Sequence, residues 1–232
     1  MIPLAASFPD VIRFFLNGGF FMIPLLICSL TSCAIIILRG MALRREMVMP
    51  AAIEKEIGNL RPSDDAETVV QLARVVRNND SALARIAHAG LQHLQWPKSE
   101  NMDAVQTRAR HEISRLESGM VILEIIVGIA PLLGLLGAVS GLVGVFASLG
   151  DSATVSDPRG IAKGISEALT TTVVGIAVAI PTLVAYSIFS KRIETLAVEM
   201  ESLIAEMITK CYYQKTRRAG LGKAFPEEDV TQ

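Results

Sequence analysis

Three stretches without a single charged residue constrain this chain more than anything else in it. They run over Phe14–Leu38, Ile125–Gly150 and Ala168–Ser190, lengths of 25, 26 and 23 residues. A helix needs about 20 apolar residues to cross a hydrocarbon core about 30 Å thick, so each can span a bilayer. Backbone groups in lipid must be satisfied within a helix or a closed barrel. Runs this long without period-2 alternation do not make a barrel. The expected fold class is an all-α membrane protein with three transmembrane helices. The 22 Lys and Arg nearly cancel the 23 Asp and Glu, and aromatics are 5% of the chain, which argues against a nucleic-acid partner. Cys28, Cys33 and Cys211 form neither a disulfide framework nor a metal motif.

The first run could be mistaken for a signal peptide, since Leu30-Thr31-Ser32-Cys33 resembles a lipoprotein cleavage box. The apolar run continues past Cys33 to Leu38, however, and Arg39, Arg44 and Arg45 follow at once. A signal core is only about 7–15 residues long, so a retained anchor is expected. Cations set the orientation. The stretch 39–124 holds 12 Lys and Arg and the tail 191–232 holds 7, whereas only Arg13 precedes the first run and only Arg159 and Lys163 separate the other two. The positive-inside rule then places the amino terminus outside and the carboxyl terminus in the cytoplasm.

Helical periodicity fills the space between. Leu83, Ile86, Gly90 and Leu94 share one face, as do Val69, Leu72 and Val76, with Pro62-Ser63-Asp64-Asp65 and Trp96-Pro97-Lys98-Ser99 as punctuation. After Ser99 no breaker is evident before Pro131, which predicts one helix over about 100–149, roughly 75 Å long. Asp157-Pro158 reads as a cap and first turn for a third long helix continuing through Ile193, Leu196, Met200, Leu203 and Met207 to about Tyr213. A polar, disordered tail is expected from Arg217. The organisation is thus 1–38, external terminus and first span; 39–124, cytoplasmic helical region; 125–150, second span; 151–167, short external turn and start of the third long helix; 168–190, third span; and 191–232, cytoplasmic extension and tail. Two of the three helices extend far into the cytoplasm as a helical bundle.

Enzyme chemistry finds no foothold, and no cofactor or metal is expected. His88, His93 and His111 lack the spacing of a helical zinc site, and Gly220-Leu221-Gly222-Lys223 lacks the hydroxyl and upstream glycine of a phosphate loop. Small residues are more telling. Ala130, Gly134, Gly137, Gly141, Gly144 and Ser148 form one stripe, and Ala168, Thr172, Gly175, Ala179 and Thr182 another. Such stripes let helix backbones approach closely in lipid. Thr170, Thr171 and Thr172 follow Glu167 and make a polar patch at one end of the third run. Membrane threonines often only bond back to their own helix, and a boundary glutamate can simply snorkel. Composition alone leaves the structural and functional readings about even.

The motif Ala130-Pro131-Leu132-Leu133-Gly134-Leu135-Leu136-Gly137, with Val139 and Gly141-Leu142, resembles the second span of the ExbB/TolQ/MotA proton-channel family. Ile165-Ser166-Glu167-Ala168-Leu169, Thr172, Gly175 and Ala179-Ile180-Pro181 resemble its third span. The similarity covers about residues 100–190, and the three-span plan is that of the ExbB/TolQ branch. The resemblance implies a bacterial inner-membrane ion channel or stator subunit and no catalysis; the poverty of oxygen ligands makes protons rather than sodium the expected ion. It implies a homopentamer in the bilayer around two copies of an ExbD/TolR-like single-span protein bearing a membrane Asp, with a TonB/TolA-like effector beyond. By position, Thr172 and Glu167, with Thr171, match the ion pathway. Gly134, Gly137, Gly141, Gly144, Gly175, Ala179, Pro131 and Pro181 match packing positions. Ala138 stands where such proteins usually carry threonine, so one hydroxyl facing the partner is missing. The competing reading is a non-conducting scaffold whose glycine stripes serve assembly only.

Overall fold

The computed structural model describes the backbone of residues 20–60, 66–150 and 158–224, with side chains for 20–60, 68–147 and 159–213. Eight helices run through these residues: α1 Met22–Ala42, α2 Arg45–Val48, α3 Ala51–Asn59, α4 Ala66–Arg77, α5 Ala82–Gln92, α6 Lys98–Glu117, α7 Met120–Gly150 and α8 Pro158–Ala224. No strand occurs among the described residues. Arg13 and the start of the first apolar run, the Pro62–Asp65 punctuation, the turn 151–157 with its Asp157 cap, and the tail 225–232 lie outside them. The chain divides into two compact units, one comprising the residues up to Arg39 with Gly119–Phe189, the other Gly40–Ser118 with the chain from Ser190.

The first unit holds α1, α7 and the leading part of α8. Met22, Leu25, Ile126, Ala130, Val174, Val178 and Ala179 form its core. Leu132, Leu135, Leu136, Val139 and Phe146 of α7 are exposed, as are Leu169, Val173, Ile176 and Ile180 of α8. Apolar surface on this scale suits hydrocarbon rather than water, and three helices here are long and apolar enough to cross a membrane. α1 stays helical through Ser32 and Cys33 to Ala42. Buried Ser32 and Thr182 tie α1 to α8, their hydroxyl oxygens 2.6 Å apart. Thr182 donates to the Val178 carbonyl at 2.7 Å, so Ser32 donates to Thr182.

The second unit is a water-type bundle whose core draws on Ile53 and Ile57 of α3, Leu72 and Val76 of α4, Leu83 and Ile86 of α5, and Leu196, Met200, Ile204 and Met207 of α8. The helical spacing read from the sequence is what places Leu72, Val76, Leu83, Ile86, Leu196, Met200 and Met207 there. α5 starts cleanly, because the Ser81 hydroxyl accepts from the Ala84 amide at 3.2 Å. Buried Asn101 donates to the Gly90 carbonyl at 3.0 Å and to the Tyr212 hydroxyl at 3.1 Å, and Tyr212 donates onward to the Trp96 carbonyl at 2.8 Å. That chain of bonds fastens the α5–α6 turn to α8.

Two expectations need correction. The 100–149 helix is interrupted: α6 ends at Glu117, and Gly119 takes φ +83° before α7 begins. Only glycine enters that left-handed region without a Cβ penalty. The break was therefore written as Ser118-Gly119 rather than as a proline. The third long helix continues past its expected end, since α8 runs on from Tyr213 through Arg217 to Ala224. No proline interrupts that continuation before Pro226, and its Arg, Ala, Leu and Lys residues are good helix formers that outnumber Gly220 and Gly222.

Candidate functional site

The site is built on the seam between α7 and α8, where two stripes of small residues meet within one chain. A Cβ added at Gly134 would stand 3.0 Å from the Thr171 carbonyl oxygen and 3.2 Å from the Cα atoms of Gly175 and Thr172. One added at Gly175 would stand 2.6 Å from the Ala130 carbonyl oxygen and 3.0 Å from Gly134 Cα. At Gly137 it would meet Thr171 Cγ2, and at Gly141 it would lie 3.1 Å from Ala168 Cβ. The backbones are thus in contact over about two turns. Gly144 has open space beside it. Ala179 belongs to the core shared with α1, Pro131 is half-buried and Pro181 exposed.

The three consecutive threonines differ sharply in this setting. Thr170 donates to the Ser166 carbonyl at 2.7 Å, the ordinary back-bond of a membrane threonine. Thr171 is buried, donates to the Glu167 carbonyl at 2.9 Å and packs on Gly137. Thr172 is half-buried, and its hydroxyl is shared between two carbonyls, Gly134 across the seam at 3.3 Å and Ala168 on its own helix at 3.4 Å. Both bonds are long, so this hydroxyl is held less firmly than its neighbours.

One and a half turns before Thr172, Glu167 lines a cavity of about 390 Å³ with Ser140, Gly137, Gly141, Gly144, Lys163 and Phe21. Glycines make this space: removing side chains from α7 opens room beside α8. Glu167 and Lys163, four residues apart, line it together without forming an ion pair. The arrangement offers a carboxylate, an ammonium group and a hydroxyl to water at one end of the seam. Chemically it offers a carboxylate that can exchange a proton with water or hold a hydrated cation, and Thr172 itself does not line the cavity. No group of three or more metal-type ligands occurs among the described residues.

The structure therefore brings Glu167 into a cavity lined by glycines of the α7 stripe, and sets Thr171 and Thr172 on the seam below. Lys163 as a cavity partner of Glu167 escaped the sequence reading, although the i, i+4 spacing was there to be seen. Ser32 as the partner of Thr182 carried no local signal, since the two are 150 residues apart.

Residues 78–202 match the MotA/TolQ/ExbB proton channel family. An ExbB-like biopolymer transport protein of Synechocystis is 32% identical over 185 residues, covering 78% of this chain and 70% of that protein. An ExbB homologue of Methanothermobacter thermautotrophicus is 29% identical, covering 83% of this chain and 67% of its own length. The biopolymer transport protein ExbB of Neisseria gonorrhoeae is 26% identical over 211 residues, covering 85% and 92%.

Proposed function

The chain belongs to the MotA/TolQ/ExbB proton channel family, and from that premise we propose that it is the ring-forming, proton-guiding subunit of an inner-membrane energy-transducing motor. The observation that carries this reading is the seam beneath the Glu167 cavity, where the Thr172 hydroxyl is loosely shared between the Gly134 and Ala168 carbonyls. A weakly held hydroxyl can turn toward a passing proton carrier at little cost, unlike the short back-bond of Thr170.

In this reading five copies surround two single-span helices of the ExbD/TolR type, each bearing a membrane Asp, with Thr172 facing them and Glu167 at the periplasmic mouth. In the same reading the amino terminus is periplasmic and the carboxyl terminus cytoplasmic, the orientation that the distribution of cations supports. Proton movement past the partner Asp drives rotation or displacement of the partner, and a TonB/TolA-like effector carries the work outward. Protons are favoured over sodium because Ala138 withholds one oxygen that a dehydrated sodium ion needs.

The chain alone should conduct nothing. No Asp, Glu, His, Lys or Arg lies within 125–150 or 168–190, and proton relays through a bilayer interior generally use ionisable groups at depth. Purified chain in liposomes containing a pH-sensitive dye should show no saturable proton entry under an imposed gradient, whereas co-reconstitution with the Asp-bearing partner should open it. Rapid entry without the partner would refute the divided pathway. The scaffold reading has one observation in its favour, since every hydroxyl of Thr170–Thr172 already has a carbonyl acceptor within one chain. It requires no flux in either reconstitution.

A further inference from the structure

Within the second unit, Glu112 of α6 is completely buried and serves three guanidinium groups at once. Arg85 of α5 donates to its Oε2 at 2.7 Å, Arg108 lies 2.9 Å from Oε1, and Arg115 lies 3.6 Å from Oε2. The Arg108 approach is an ion pair without hydrogen-bond alignment, so Oε1 has charge compensation but no bonded proton. One carboxylate cannot neutralise three cations. The excess opens into a cavity of about 360 Å³ lined by Arg77, Arg85, Arg108, His88, Asn79, Gln92 and Asp80, among others. Pockets for small ligands start at about this size, roughly 300 Å³.

The lining is donor-rich. Three guanidiniums, two amides and an imidazole face one carboxylate, that of Asp80. Counting Glu112 and Arg115 behind the wall, four guanidiniums stand against two carboxylates. The donors are also underused. Arg85 Nε is buried without an acceptor. The Asn79 side-chain oxygen accepts from the Ser81 amide at 2.9 Å, which leaves its NH₂ as the free end. Arg77 has no ion-pair partner among the described residues. A buried donor without an acceptor is costly, and an anion oxygen would remove that cost.

We propose that this cavity between α4, α5 and α6 is a binding site for a small soluble phosphomonoester. The surplus of two positive charges matches the charge of about −1.5 to −2 that such a group carries at neutral pH. Its three oxygens suit forked guanidinium donors better than a single carboxylate would. Chloride, with one charge and no directional acceptors, satisfies neither requirement.

The test uses the full chain purified in a neutral maltoside detergent, with inorganic phosphate and adenosine monophosphate titrated calorimetrically at constant ionic strength set by chloride. One saturable site per chain is expected for both. Arg77→Gln, an exposed position outside the Glu112 cluster, should weaken binding at least tenfold. Asp80→Asn should strengthen it several-fold, because only the Asp80 backbone carbonyl, not its carboxylate, bonds Arg85. Arg110→Gln, an exposed arginine of α6 that does not line the cavity, should leave affinity unchanged. Equal weakening by Arg77→Gln and Arg110→Gln would mean diffuse attraction and overturn the site. Absence of saturable binding, with the helical spectrum of the protein intact, would overturn it too. Binding only to vesicles containing phosphatidic acid, and to neither soluble anion, would assign the same chemistry to a lipid headgroup and refute the soluble ligand.

Discussion

Gly175→Ala adds one methyl group where two helix backbones already touch. The new Cβ would sit 2.6 Å from the Ala130 carbonyl oxygen, and a relaxed C···O contact is about 3.3 Å or more, so α7 and α8 must separate by roughly 0.7 Å. Gly134 Cα, 3.0 Å away, blocks the sideways escape, and neither obstacle is a side chain that can rotate aside. Overpacking of this kind costs about 1–3 kcal/mol. Alanine returns up to about 1 kcal/mol as a better helix former. The net cost, taken near the upper end because both contacts are backbone, is about 1–2 kcal/mol. For a chain of this size that lowers the melting temperature by about 2–8 °C. The same separation would stretch the Thr172–Gly134 bond, already 3.3 Å, beyond hydrogen-bond range and leave the hydroxyl on Ala168 alone. Gly144→Ala is the matched control, since nothing lies within 4 Å of its Cβ. It should be neutral or slightly stabilising. Melting of each purified variant in detergent, followed by helical circular dichroism, reads the first effect, and partner-dependent proton flux reads the second. If Gly175→Ala melts at or above Gly144→Ala, the close seam is wrong.

Thr172→Val keeps volume and removes the shared hydroxyl; partner-dependent proton flux should fall at least tenfold while the oligomer still assembles, and Thr170→Val should retain flux. Equal loss at both, with assembly lost, would point to packing. Cysteines at Ser152 and Thr231 should react with an impermeant maleimide from opposite sides of the membrane, and labelling of both from outside would overturn the orientation. Burial pushes the Glu112 carboxyl up, but the hydrogen bond from Arg85 and the charges of Arg85, Arg108 and Arg115 outweigh it and hold the carboxyl below its ordinary value of 4.5. Because the folded value is the lower one, the stability Glu112 contributes is present above pH 4.5 and is lost as pH falls below it toward the depressed folded value. Glu112→Gln should remove that acid-side dependence and destabilise the bundle by about 2 kcal/mol, less than a fully buried pair because its arginines are partly exposed; an unchanged acid melting profile would contradict this.

Much of the architecture was legible because membranes impose a coarse, one-dimensional rule. A charge-free run long enough to span must be a helix, so all three spans could be read by length alone. The bundle faces followed in the same way, since Leu83, Ile86 and Gly90, or Leu196, Met200 and Met207, repeat at the helical period and are buried together. One missed feature has a single dihedral angle as its signal, unlike the long-range Ser32–Thr182 contact. Ser118-Gly119 interrupts a helix without a proline, and nothing in the pattern distinguishes that glycine from Gly128, which sits in unbroken helix.

What the sequence determined by itself is the set of helices that must live in lipid and the stripes of small residues along them, because both follow from composition along one axis. Which stripe faces which was decided only in three dimensions. Gly134, Gly137, Gly141 and Gly175 bring α7 to α8 within one chain, while Gly144, spaced identically, touches nothing across the seam and only borders the Glu167 cavity that Gly137 and Gly141 also line. The tertiary structure alone separates three adjacent threonines into a back-bonded Thr170, a buried Thr171 and a shared, loosely held Thr172. The physical reason is that a hydroxyl's freedom depends on which foreign carbonyl stands within about 3 Å of it, and such proximity between residues 38 positions apart is created by packing and not by spacing.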